Sequence, residues 1–243
     1  MLVNNQFNIK KTYSLLGDYM KIYKHKKNKL YVFILFVFMI ILGGIYNIKA
    51  TSLPLLGHTF YLDPGHGGVD PGSLYKDIYE KDINLDICIK IKEKLEHLGA
   101  IVYMTRYGDY DLSYINSSSR KKSDLNNRAK IINESNADMY ISIHLNSVTS
   151  TTWHGAQVFY DDVNDENIKI ASLFQKKFQK NLGTDREIKE ISTMLLNRKV
   201  NIPGVLIEVG FLSNTNERYL LRQESYQDKI ATNISEVLVE YYN

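Results

Sequence analysis

Two histidines and two glutamates have the types and surroundings for joint chemistry. His66 sits in Asp63-Pro64-Gly65-His66-Gly67-Gly68-Val69-Asp70-Pro71-Gly72, a turn too rich in Pro and Gly to extend a strand. Glu80 opens Glu80-Lys81-Asp82-Ile83-Asn84-Leu85, His144 interrupts the apolar run Ile141-Ser142-Ile143-His144-Leu145-Asn146-Ser147, and Glu208 is the lone carboxylate of Val205-Leu206-Ile207-Glu208-Val209. Two imidazoles and a carboxylate are ordinary Zn²⁺ ligands and leave a fourth position open for water. His66, Glu80 and His144 are therefore candidate metal ligands, 14 and 64 positions apart, so only the tertiary fold can gather them. Glu208 is the candidate base. An unpaired charge in an apolar strand costs several kcal/mol, and no cation is adjacent in sequence to offset it. The plainer readings are a solvated turn histidine and a structural glutamate with a distant partner. A glycosidase using the carboxylates of Asp63 and Glu80 is a rival that would generate new reducing ends. A phosphate cradle over residues 65–72 fails, because no Gly-Lys-Ser/Thr follows.

The elements that must carry these groups are legible in outline. Residues 60–62 read as a buried strand, and residues 82–98 as a helix with Ile83, Ile87, Ile91, Leu95 and Leu98 on one face. Gly99 stops that helix and residues 101–104 form the next strand; strand, helix, strand argues for a parallel pair with a crossover. Residues 106–124 are polar and aperiodic, which predicts a long loop, and residues 125–136 a second helix. A strand over 139–143 delivers His144. A loop over 149–155 holds Trp153 and His154, the latter read as exposed. An edge strand is expected over 157–160, a helix over 168–182 with Ile170, Leu173, Phe174 and Phe178 inward, a strand over 205–209 and a closing helix over 226–242. This is an α/β pattern: one domain with a mostly parallel twisted sheet flanked by helices. Every candidate falls near a strand end or helix start, as a site on one rim of such a sheet requires. Asp63, Asn84, Asn146 and Ser147 are candidates for hydrogen bonds that orient the ligands, or else plain caps.

Bulk properties bound the rest. A chain of 243 residues with 44% hydrophobic content can bury one good-sized core. Eight lysines against Asp18 alone give the first 50 residues a charge of +7, which leaves −4 for the remainder of a chain at +3. A mildly acidic domain behind a basic leader gives no reason to expect nucleic-acid binding. Residues 30–46 are seventeen uncharged, almost wholly apolar positions, enough for a hydrophobic helix at the low end of the spanning range. Lys21, Lys24, Lys26, Lys27 and Lys29 precede it against Lys49 after it, a bias that places the C-terminal part outside the cytoplasm. The expected order is a basic leader over 1–29, an anchor or cleaved signal segment over 30–46, a linker over 47–58 and the domain over 59–243. Cleavage after Ala50 would leave Ile48 where a small residue is preferred. His58 reads as solvated, and Cys88, the only cysteine, as a core residue rather than a reactive thiol.

Asp-Pro-Gly-His-Gly-Gly at 63–68, Glu80 with Asn84-Leu85, Ser-Ile-His-Leu-Asn-Ser at 142–147 and Glu-Val-Gly-Phe-Leu-Ser-Asn at 208–214 together resemble the zinc-dependent N-acetylmuramoyl-L-alanine amidases, over about residues 59–243. The resemblance implies a phosphorylase/hydrolase-like fold, Zn²⁺ on His66, Glu80 and His144, and Glu208 as the proton shuttle. It implies hydrolysis of the amide joining N-acetylmuramic acid to L-alanine in peptidoglycan. One leader plus one domain is similar to the spore-cortex, germination-associated members, acting on the extracytoplasmic side of the membrane, with a protein activator as a further partner. Thr105-Arg106 and Leu125-Asn126-Asn127-Arg128 match the family pattern, and both arginines read as structural ion pairs. The regulatory helical insertion of some relatives is not legible. The alternative is a non-catalytic peptidoglycan-binding or interaction domain on the same fold.

Overall fold

The structure is a computed structural model and describes residue 24, residues 26–40 and residues 53–243. The chain divides into two compact units, Met1–Thr51 and Ser52–Asn243. In the first, residues 26–40 are helical, and the apolar positions from Leu30 to Ile40 are exposed. Among the described residues no helix is long and apolar enough to cross a membrane. Residues 41–46 of the expected span lie outside the described residues.

In the second unit a six-stranded sheet has the order β4-β1-β5-β8-β6-β7. Its strands are β1 (Thr59–Pro64), β4 (Ile101–Met104), β5 (Met139–Asn146), β6 (Gln157–Tyr160), β7 (Lys189–Glu190) and β8 (Gly204–Phe211). Strands β4, β1, β5 and β8 run parallel, and β6 is antiparallel to β8. Residues 157–160 are thus an interior strand, because the two-residue β7 pairs along their outer side and takes the edge. A small hairpin, β2 (Leu74–Tyr75) with β3 (Ile78–Tyr79), sits outside the sheet.

Helices α1 (Glu80–His97), α3 (Glu166–Leu182) and α5 (Glu224–Tyr242) supply the apolar side chains that bury one sheet face. On α1 these are Ile83, Ile87, Cys88, Ile91 and Leu95, with Cys88 fully enclosed. The four-and-three spacing explains why this segment is helical, and burial of each such side chain stabilises the fold by about 1.5–3 kcal/mol. On α3, Ile170, Phe174 and Phe178 are buried and Leu173 partly so. The other face is covered only in part. There α2 (Arg120–Asn133) and a 3₁₀ turn at Asn197–Lys199 pack Ala129, Ile132, Leu196 and Val200 against Tyr61 and Tyr140. Helix α2 starts five residues earlier than its apolar spacing suggests, which shortens the aperiodic connection after Arg106. Its first turn, Arg-Lys-Lys-Ser, carries no apolar residue to signal a helix. Helix α4 (Thr215–Leu221) is capped by Asn214, whose side chain accepts from the amides of Asn216 and Glu217. His58 is half-buried rather than solvated. Its ring lies 4.0 Å from that of Tyr242 and 3.5 Å from Asp138 Oδ2.

Candidate functional site

The period of two along a strand decides which groups share the partly covered face. Phe60, Leu62, Ile141, Ile143, Leu145, Val205, Ile207 and Val209 belong to the main core. Alternation then sends Asp63, Ser142, His144, Asn146, Leu206 and Glu208 to the opposite side. His144 and Glu208 are register partners on neighbouring strands. Beside the first turns of α2 this face opens into a cleft of about 590 Å³, lined by His66, Glu80, His144, Glu208, Asn146 and Ser147 among others.

Glu80 reaches this cleft from the N-terminus of α1, and His66 from the turn after β1. Glu80 Oε1 lies 3.2 Å from His66 Nε2 and 3.0 Å from His144 Nδ1. One donor atom from each of the three lies within 4.8 Å of the others. The two imidazoles meet edge to face, with centroids 4.9 Å apart. Tetrahedral bonds of about 2.0–2.1 Å put neighbouring donors roughly 3.3 Å apart, so the spacing suits a small divalent ion. Burial opposes charge on Glu80, but His144 and His66 outweigh it and hold the carboxyl well below its usual range. Burial likewise disfavours the imidazolium of His66, yet Glu80 and Asp70 raise its pKa. A nearly enclosed carboxylate thus faces two imidazoles and calls for positive charge between them.

Backbone and side chains fix the three donor residues. Glu80 Oε2 accepts from the amide of Ser73 (2.8 Å), and Oε1 from the amide of Leu145 (3.0 Å) and from Asn84 Nδ2 (3.3 Å). Asn84 also donates to the Gly65 carbonyl. His66 Nδ1 is 3.0 Å from Asp70 Oδ2, a carboxylate that directs Nε2 toward the cluster. Asp70 escaped the sequence reading, although a carboxylate four residues after a candidate ligand histidine was an available signal. Asp63 does not point at the donors. Fully buried, it accepts from Arg128, Thr105 and Ser142 at 2.7–2.8 Å. Asn146 and Ser147 line the cleft, and among the described residues their side chains form no hydrogen bond to the cluster.

The arginines act mainly on the backbone of the His66 turn. Arg128 pairs with Asp63 and Asp124 and donates to the carbonyls of Pro64 and His66. Among the described residues Arg106 forms no ion pair; it donates to the carbonyls of Pro64, Gly65, Lys81 and Gly108. These charge-assisted bonds hold His66 at φ +63°, a conformation that costs a non-glycine residue about 1–3 kcal/mol. Gly65 is required by close approach, since a Cβ there would lie 2.2 Å from the His144 ring.

Glu208 lines the same cleft from β8. Its Oε2 is buried without a hydrogen-bond partner among the described residues. Burial, and then the negative charge of Glu80, push its pKa up to about 8. Such a carboxylate can both take up and release a proton near neutrality.

Fold and cleft together define an α/β hydrolytic domain with a His-Glu-His cluster on one rim of its sheet. Residues 61–240 match the Amidase_3 family, described as N-acetylmuramoyl-L-alanine amidase, and the chain belongs to that family. It is 43% identical over 216 residues to the germination-specific N-acetylmuramoyl-L-alanine amidase of Bacillus subtilis (strain 168), covering 87% of this chain and 91% of that one. Among solved structures it resembles the CwlD amidase of Clostridioides difficile in complex with the GerS lipoprotein, with a TM-score of 0.72, 40% identity, and coverage of 76% of this chain and 98% of that one. It also resembles an N-acetylmuramoyl-L-alanine amidase of Clostridium difficile 630, with a TM-score of 0.67, 32% identity, and coverage of 79% and 97%.

Proposed function

We propose that residues 59–243 hydrolyse the amide joining the lactyl group of N-acetylmuramic acid to L-alanine in spore-cortex peptidoglycan. His66, Glu80 and His144 would hold zinc, and Glu208 is the proton shuttle. The observation that carries this reading is the buried Glu208 Oε2, without a hydrogen-bond partner among the described residues, beside a three-donor cluster in an open cleft. When bound, zinc would polarise the scissile carbonyl and lower the pKa of a water to about 7. Asp70 keeps the His66 proton on Nδ1 and its Nε2 lone pair toward the cluster. Glu208 takes the proton of the attacking water as the C–O bond forms, and passes it to the alanine nitrogen as the C–N bond breaks. The products are a lactyl carboxylate on the glycan and a stem peptide with a free amine. Asn146 and Ser147, on the cleft wall, offer polar contacts to the amides flanking the scissile bond.

The basic, apolar N-terminal segment would keep this domain on the extracytoplasmic side of the membrane, where cortex lies. The complex of the Clostridioides difficile relative with a lipoprotein supports a protein activator here too. The test is mass spectrometry of muropeptides from purified cortex peptidoglycan incubated with zinc-loaded protein. Stem peptides with a free N-terminal alanine are expected from the wild type. Glu208→Gln should bind zinc normally yet release at least about a hundredfold less. New reducing ends without peptide release, or indifference to chelator, would overturn the reading. Binding to peptidoglycan without either product, with activator supplied, would leave a non-catalytic domain.

A further inference from the structure

A stack of three flat side chains rises from the sheet beside the cleft. At its base is Phe211, the register partner of cleft-lining Asn146. The Arg186 guanidinium lies over both rings, 4.5 Å from the Phe211 centroid and 4.8 Å from the Trp153 centroid. Arg186 is itself held, donating from Nε to the His154 carbonyl (2.7 Å) and from an amino group to Gln157 Oε1 (3.2 Å). Gln157 is the register partner of Glu208, so the stack is tied to the same rim as the acid.

The loop that presents Trp153 is pinned along its length. The Val148 amide bonds Ser213 Oγ, the Thr151 carbonyl accepts from Asn214, and the Gly155 amide bonds Glu217 Oε1. An indole held this way on one face would ordinarily be covered on the other. Trp153 is instead 54% exposed. A large, rigid, outward aromatic face is costly to leave in water and has low entropy left to lose on binding.

We propose that Trp153 is a stacking platform for a hexosamine ring of the glycan strand, flanking the muramic residue in the cleft, with Arg186 as its positioning residue. The C–H-rich face of a pyranose carries partial positive charge and complements the negative face of the indole, as cations and aromatic edges do. The identity of the polymer rests on the amidase reading; the platform itself does not. Its consequence is that affinity depends on the glycan and not only on the stem peptide.

Trp153 is the only tryptophan in the chain, so indole emission of the full-length protein reports this position alone. The probes are a β-1,4-linked tetramer of N-acetylglucosamine and, separately, the dipeptide L-Ala-D-Glu. A saturable emission change with the tetramer and none with the dipeptide is expected, with or without zinc. In peptide release from cortex strands, Trp153→Ala should raise KM roughly three- to tenfold, with the loss on KM rather than kcat, and Trp153→Phe should restore most of it. Circular dichroism melting confirms that each variant folds. Emission indifferent to the tetramer, emission answering the dipeptide instead, or an unchanged KM in Trp153→Ala would overturn the platform. An emission change from a protein that releases no peptide would sink the amidase reading and leave the platform standing.

Discussion

At the residue scale, the site depends on groups that touch the three donors without being donors. Asp70 is the clearest. Asp70→Asn keeps a hydrogen-bonding group of the same size but removes the charge behind His66, so zinc affinity should fall about 10–100-fold, as read by competition with a chromophoric chelator. Unchanged affinity would show that Asp70 serves the turn alone, through its bond from the Gly72 amide. Gly65→Ala is a harsher change. The added methyl would overlap the His144 ring, and the ring cannot move without leaving Glu80. Metal stoichiometry should drop in this variant while the far-UV spectrum of the fold survives. Conservation of size matters here more than polarity, because the turn and β5 approach within one side-chain radius.

At the element scale, β1 and the turn after it are fastened to α2 through Asp63 and Arg128, an enclosed ion pair with N···O of 2.8 Å. Removing one partner of such a pair leaves the other charge buried, at a cost of about 3–5 kcal/mol. Arg128→Met should therefore destabilise by that order in urea unfolding, and more than the double variant with Asp63→Asn. The pH dependence has a definite sign. Burial alone would raise the pKa of Asp63, but Arg128 and the hydroxyls of Thr105 and Ser142 prevail and hold it at about 2, against an ordinary 3.8. A carboxyl with a depressed folded value contributes its stability above the unfolded pKa and loses it as pH falls through the folded one. The wild type should thus lose about 2 kcal/mol between pH 4 and pH 2 that Asp63→Asn does not lose. Equal slopes for the two proteins in that window would disprove the assignment.

At the scale of the whole molecule, the cluster joins the turn after β1, the start of α1 and the end of β5. An ion that binds only the folded chain stabilises all three together, by about 2.7 kcal/mol at a hundred times its Kd. For a domain of this size, chelation should lower the thermal midpoint on the order of 5 °C or more, and added zinc should restore it. A midpoint unmoved by chelator in metal-loaded protein would mean that the site contributes nothing to the fold. Much of this arrangement was legible in the chain itself. Helical spacing from Ile83 to Leu95, strand runs ending in polar residues and a Gly-rich turn are local patterns, and local patterns follow from backbone geometry. The four chemical residues also announced themselves, since a histidine or glutamate inside an apolar run violates its surroundings. What the sequence could not carry was anything set by contact between distant segments. The interior place of β6 depends on a two-residue strand, β7, too short to have a period. The roles of Arg106 and Arg128 depend on which carbonyls come near them, and Asp63 became a partner of Arg128 rather than of the donors because it faces α2. The Phe211–Arg186–Trp153 stack joins three segments with no shared pattern. The sequence determined which groups and elements exist, because burial and hydrogen bonding act residue by residue; only the tertiary structure decided who faces whom, because register, crossover and turn geometry are properties of pairs.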